Sequence, residues 1–219
     1  MKILSDLFFR NHSLDVSHFF LFANTEYSKN TEKQLWESSA FLSKKSICIL
    51  FNLAKPLDYY SIVQKHANKW IFFRLLADNT NNTYYRNLDL LNLYDFQKFF
   101  LIPDMYDAIY FGPKKQAILE TISYIKQKNI DITKMNHMDI NNKVLESVKS
   151  LYPIQENKGT MSSGLWTYLY LKTKYPLSKF TLIDYALNMK SAYHNSLFEQ
   201  GFILSEILSN QCEYIGDHL

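Results

Sequence analysis

Six residues, Ser46-Ile47-Cys48-Ile49-Leu50-Phe51, form an unbroken apolar run that Asn52 ends. The run is short and does not alternate, so it reads as a strand covered on both faces, the mark of a central strand in a parallel sheet. Parallel strands need crossover connections, and helices usually supply them. Leu57 to Ala67 places Tyr60, Ile62, Val63 and His66 near one helical face, and Trp70 to Leu75 reads as the next strand. Together these make one βαβ unit.

The rest of the chain repeats the alternation. Phe19 to Phe22 reads as a strand or a short helix and Thr31 to Phe41 as a helix, although residues 1–44 carry no motif. Asp78 to Arg86, dense in Asn, Thr and Tyr, is the clearest loop and a candidate lid. A strand is expected at Asp107 to Phe111, a helix opened by Pro113 and running to about Lys128, and another helix at Asn141 to Leu151. Ser162 begins a helical pattern through Lys174, the chain turns at Pro176, and Phe180 to Ile183 is a short apolar strand. A loop from Asp184 to Ser191 leads to a final helix from Ala192 to Leu208, with Cys212 in late helical sequence. Such a sequence predicts the α/β class: a three-layer, mostly parallel sheet with helices on both faces, in a single domain over residues 1–219.

Composition narrows the function classes. A net charge of +3 is too small on its own to argue for nucleic acid or a membrane surface, and the cluster Lys114, Lys115, Lys126 and Lys128 reads as a solvated helix face. Two cysteines, Cys48 and Cys212, do not make a disulfide framework, which favours a reducing compartment. The apolar stretch Phe19 to Ala23 is far short of the roughly 20 residues that span a bilayer. The expected location is the cytoplasm, with peripheral association at the inner face of the membrane left open. The chain has no Asp-x-Asp pair, and its six histidines lack metal-ligand spacing, so neither a metal nor another cofactor is expected.

Chemistry concentrates in the last third. Lys158-Gly159-Thr160-Met161-Ser162-Ser163-Gly164 joins a loop to a helix start, where open N–H groups and the helix dipole attract phosphate or carboxylate. The plainer reading makes Ser162 an N-cap and Gly164 a point of close packing. Ligands in open α/β sheets bind beyond the carboxyl ends of the strands, which singles out Asn52, residues 76–82 and the stretch from Asp184 to His194. His194 is the candidate general base, because its unperturbed pKa suits proton transfer near neutrality. Tyr185 and Tyr193 flank the same loop and could hydrogen-bond a leaving phosphate without adding charge. Asp184 stands where a ribose or acceptor hydroxyl could be held.

Ser162-Ser163-Gly164, then Thr181-Leu182-Ile183-Asp184-Tyr185, then His194 with Glu199 five residues later, resemble the C-terminal half of sialyltransferases. Ile47 to Asn52 with Pro56 and Leu57, followed by Trp70 to Arg74, resemble their first strand, Gly-Asn-x-Pro-Ser-Leu loop and second strand. Phe51 stands where the loop's glycine is expected, and Pro56 lies one place late. The resemblance covers roughly residues 46–209. It implies a Rossmann-like, GT-A-type nucleotide-binding domain and an inverting, metal-independent glycosyltransferase. The donor would be a CMP ester of sialic acid or a related keto sugar, and the acceptor a glycan or lipid-linked saccharide. His194 would be the base, with donor contacts from Asn52, Ser162, Ser163, Gly164, Asp184, Tyr185 and Tyr193. The paired cysteines of the animal members are absent, as in a bacterial-type relative.

Two other classes fit parts of the sequence. An aromatic-rich α/β domain can bind a carbohydrate or nucleotide without turnover, and Phe51 in the glycine position favours that reading. Ser163, Asp184 and His194 also follow the chain order of α/β-hydrolases, but the Gly-x-Ser-x-Gly elbow is missing.

Overall fold

The structure, a computed structural model, describes residues 16–23, 28–51, 62–63, 66, 68–74, 98–102, 123–134, 162–185 and 196–217. The described elements run β1 (His18–Phe22), α1 (Lys29–Glu37), β2 (Ser46–Phe51), β3 (Lys69–Arg74), β4 (Lys98–Ile102), β5 (Asp131–Lys134), α2 (Ser163–Lys174), β6 (Lys179–Ile183), α3 (Ser196–Leu208) and β7 (Glu213–Ile215). The strands form one seven-stranded sheet in the order β5-β4-β3-β2-β1-β6-β7, and each neighbouring pair is parallel. The α/β class and the parallel sheet expected from the sequence are therefore present.

β1 is the pivot of this order. From it the chain builds outward through β2 to β5 on one side, then returns to lay β6 and β7 on the other. The segment that carries no motif thus supplies an interior strand, at the point where the order turns back. All five of its residues are buried. A buried Phe or Leu side chain contributes about 1.5–3 kcal/mol, whereas strand propensities span only about 1 kcal/mol, so burial of Phe19, Phe20, Leu21 and Phe22 decides its state.

Period-two alternation splits the core into two layers. Phe19 stacks on Phe180 of β6 with ring centroids 5.5 Å apart and meets Trp70 of β3 at 5.7 Å, on the face shared with α2. Phe20, on the opposite face, meets Phe41 edge-on at 5.2 Å, and Phe41 in turn meets Trp36 of α1 at 5.7 Å. α1 begins at the Ser28 cap, whose side chain accepts from the Thr31 N–H. It stops at Glu37, before the expected end at Phe41, because Phe41 leaves the helical path to fill this second layer.

α2 and β6 match the expected helix and strand, and the turn between them contains Pro176. β3 starts at Lys69, one residue before the expected Trp70. β4, β5 and β7 were not anticipated from the sequence, and Cys212 sits in the bend before β7 rather than in a helix. The loop over residues 78–86, the strand expected over 107–111 and the helix over 141–151 lie outside the described residues. Of the helix expected over 57–67, residues 62–63 are helical but His66 is not, so the helix ends before the expected Ala67; of that expected from Pro113, residues 123–127 are helical.

Candidate functional site

β1 has β2 on one side and β6 on the other, and the chain order reverses between β1 and β6. The crevice beyond the carboxyl ends of these two strands is the topological switch point, where open α/β sheets hold ligands. The ladder ends there with the Ala23 N–H donating to Ile183 O at 3.1 Å. β6 then delivers Asp184 and Tyr185 to the same place.

Asp184 turns the chain with φ 46°, a left-handed conformation that Asp tolerates better than most residues. Its N–H still donates to Ile215 O at 2.8 Å, and its Oδ1 accepts from the Asp217 N–H at 3.3 Å. A Cβ on Gly216 would collide with that oxygen, so this close approach needs glycine. The carboxylate thus braces the turn after β7, whatever else it does. It is buried, with 3% of its surface exposed.

Tyr185 lies over the first turn of α2. A Cβ on Gly164 would stand 2.8 Å from its hydroxyl oxygen, so the absent side chain admits the ring. On its other side the ring meets Phe51, at the carboxyl end of β2, edge-on at 6.5 Å. The Tyr185 hydroxyl is buried and has no hydrogen-bond partner among the described residues. Burial raises its pKa well above the ordinary phenol value, and the nearby charge of Glu199 adds to this. It remains a neutral phenol that can donate.

Ser162 is the N-cap of α2, its Oγ accepting from the Leu165 N–H at 3.2 Å. Its own N–H donates to Glu199 Oε1 at 2.5 Å, across 37 residues of sequence. The positive end of α2 therefore already faces a carboxylate, from the first turn of α3. Spacing alone gives Glu199 no partner. Its bond to Ser162 is long-range, and no local pattern encodes it.

Ser162, Ser163, Gly164, Asp184, Tyr185 and Glu199 thus come from the starts of α2 and α3 and the end of β6. Direct contacts join Gly164 to Tyr185 and Ser162 to Glu199. Asn52, Tyr193 and His194 lie outside the described residues. Among the described residues, no group of three or more His, Cys, Asp and Glu side chains could hold a metal ion, and no helix is long and apolar enough to cross a membrane. Neutral donors and a helix start suit the holding of a polar ligand, while the carboxylates of Asp184 and Glu199 occupy backbone donors and favour ligand hydroxyls over further negative charge. No protein-family model, no curated protein and no solved structure matches the chain.

Proposed function

We propose that this chain is a sialyltransferase-like glycosyltransferase that moves a sialic acid or related keto sugar from a CMP donor to a hydroxyl of a glycan or lipid-linked saccharide. The observation that carries the reading is the packing of Tyr185 onto Gly164 beside the Ser162–Glu199 bond. It gathers segments of the sialyltransferase resemblance, far apart in sequence, at one end of the sheet. That arrangement supports a Rossmann-like, GT-A-type site at the β1/β6 switch point.

Two donors at the α2 start are already used, Leu165 N–H by the cap and Ser162 N–H by Glu199. An incoming phosphate would meet the N–H groups of Ser163 and Gly164, with the neutral Tyr185 hydroxyl donating as charge builds on the leaving group. Asn52, which follows β2 in sequence, would contact the nucleotide, and Tyr193 would hydrogen-bond the leaving phosphate. His194, two residues before α3, would take the acceptor proton as the anomeric carbon becomes oxocarbenium-like and CMP departs, inverting the centre. No metal enters this scheme, because the chain lacks an Asp-x-Asp pair.

The test is a thermal-shift series with cytidine, uridine and guanosine nucleotides, with and without chelator, followed by CMP release from a CMP-sialic acid donor. Stabilisation by CMP in the presence of chelator, with slow donor hydrolysis, is expected. A preference for uridine diphosphate that requires manganese would overturn the reading. CMP binding without any turnover would assign the chain to the non-catalytic binding class.

A further inference from the structure

In a parallel sheet, every connection that leads from a helix into the next strand arrives at the same edge. Here that edge is the amino-terminal one, opposite the crevice at Asp184 and Tyr185. Among the described residues, three large apolar side chains are exposed: Leu42 (57%), Leu177 (99%) and Leu208 (81%). All three stand in connections to this edge. Leu42 lies in the turns leading to β2, Leu177 between α2 and β6, and Leu208 at the last position of α3 before β7. A single exposed leucine needs no explanation. Three gathered at one edge of a doubly wound sheet do.

Two of these connections, those to β2 and β6, are basic, and so is the one leading to β5. Lys44, Lys45, Lys126, Lys128, Lys174 and Lys179 are exposed there, against Asp131 and Glu213 at the starts of β5 and β7. Two neighbouring ion pairs are internal, Lys172 with Glu206 at 2.5 Å and Lys33 with Glu37 at 3.8 Å, and add no net charge. Sequence order scatters these lysines, so the net charge of +3 hides their convergence. Between the Leu177 turn and the bend after Leu208 opens a cleft of about 310 Å³, whose lining includes Lys179, Asn210, Gln211 and Glu213.

We propose that this amino-terminal edge docks on an anionic lipid bilayer, with Leu177 and Leu208 entering the headgroup layer and the lysines of this edge meeting lipid phosphates. Protruding leucines, with Lys174 and Lys179 flanking Leu177 and Lys44 and Lys45 following Leu42, suit an interface that is apolar below and anionic above. A second copy of the chain fits poorly, since a two-fold contact through this edge would set lysines against lysines. Nucleic acid fits poorly too, because leucines at turn tips offer bases no stacking surface. The surface lies away from the crevice, and docking stands independently of the proposed activity.

The experiment is flotation of the full chain with vesicles of phosphatidylcholine alone or mixed with phosphatidylglycerol, at low and high salt. Binding to the mixed vesicles is expected, with little to the neutral ones, and it should weaken as salt screens the charges. Lys174→Gln and Lys179→Gln should each weaken binding about fivefold. Leu177→Ser and Leu208→Ser should each weaken it about tenfold while leaving the thermal melt unchanged. Equal binding to neutral and anionic vesicles, no binding to either, or undiminished binding by the Leu177→Ser/Leu208→Ser variant overturns the proposal. So would sedimentation showing a dimer that these leucine changes dissolve, or capture of a single-stranded oligonucleotide without vesicle binding.

Discussion

The Tyr185 ring occupies the space that a Cβ on Gly164 would need, with its hydroxyl oxygen 2.8 Å from that point. This contact joins the start of α2 to the end of β6. It gives the Ser-Ser-Gly sequence a steric reason that spacing alone could not supply.

Gly164→Ala should therefore destabilise the chain by about 1–3 kcal/mol in urea unfolding, the usual cost of overpacking. Tyr185→Phe removes the atom nearest the new methyl group and should recover part of the loss. The two changes should be non-additive by more than about 0.5 kcal/mol in a double-mutant cycle. Strict additivity would mean that the ring moves aside freely and does not define the site.

Glu199 ties α3 to the α2 start through the Ser162 N–H, a hydrogen bond to a charged acceptor. Glu199→Ala should cost about 1.5–3 kcal/mol in the same measurement. Glu199→Gln keeps an acceptor oxygen but loses the charge that faces the helix dipole, so its cost should be smaller, about 0.3–1 kcal/mol. Equal losses in the two variants would show that the charge, not the bond, holds the helices together.

The interior was more legible in sequence than the margins, and the reason is burial. β2 and β6 read correctly because both faces are covered, so nearly every residue is apolar. β5 reads Asp-Ile-Thr-Lys and β7 Glu-Tyr-Ile; these edge strands are short and polar, with little of the buried-strand signal. β1 carries that signal but sits among polar residues, and its interior place comes from pairing with Lys179 to Ile183, far along the chain. The candidate site divides in the same way. The Ser162 cap is local and was readable, whereas the packing of Tyr185 and the partner of Glu199 depend on the sheet bringing distant segments together.

Two buried histidines give stability a direction with pH. His18 Nε2 lies 2.7 Å from Thr181 Oγ1, and Thr181 donates to Glu213 at 3.1 Å, so the imidazole is the donor to threonine. His66 Nε2 reaches Phe41 O at 2.8 Å, while its Nδ1 accepts from the Asn68 N–H at 3.2 Å. Burial lowers both pKa values below the ordinary 6.5, against weaker opposing effects from Glu213 on His18 and from backbone carbonyls on His66. On acidification the unfolded chain takes up these protons first. Stability should be level above about pH 7.5 and fall as pH drops below about 6.5, at up to about 1.4 kcal/mol per pH unit for each histidine. It levels again below the lowered folded values. Melting temperatures from pH 8 to pH 5 check this, and His18→Gln should flatten part of the fall. A melting temperature that rises on acidification would contradict the assignment of both rings as neutral.

His194 carries the proposed chemistry, and its removal separates a base from a structural side chain. It precedes Ser196, the first residue of α3, and Glu199 holds that helix start against the α2 N-terminus. If it is the general base, His194→Ala should lower transfer about 100- to 10,000-fold, leaving CMP binding and the melting temperature nearly unchanged. The acidic limb of the wild-type rate profile should follow one ionisation in the histidine range and disappear in the variant. A packing histidine behaves otherwise: its loss lowers the melting temperature, weakens the nucleotide site and reduces activity only in step with the folded fraction. Glu199→Gln makes the comparison sharper. It should loosen the approach of α3 and cut the rate modestly while keeping the histidine limb, because the base is still present. Full transfer by a well-folded His194→Ala protein would end the proposed mechanism.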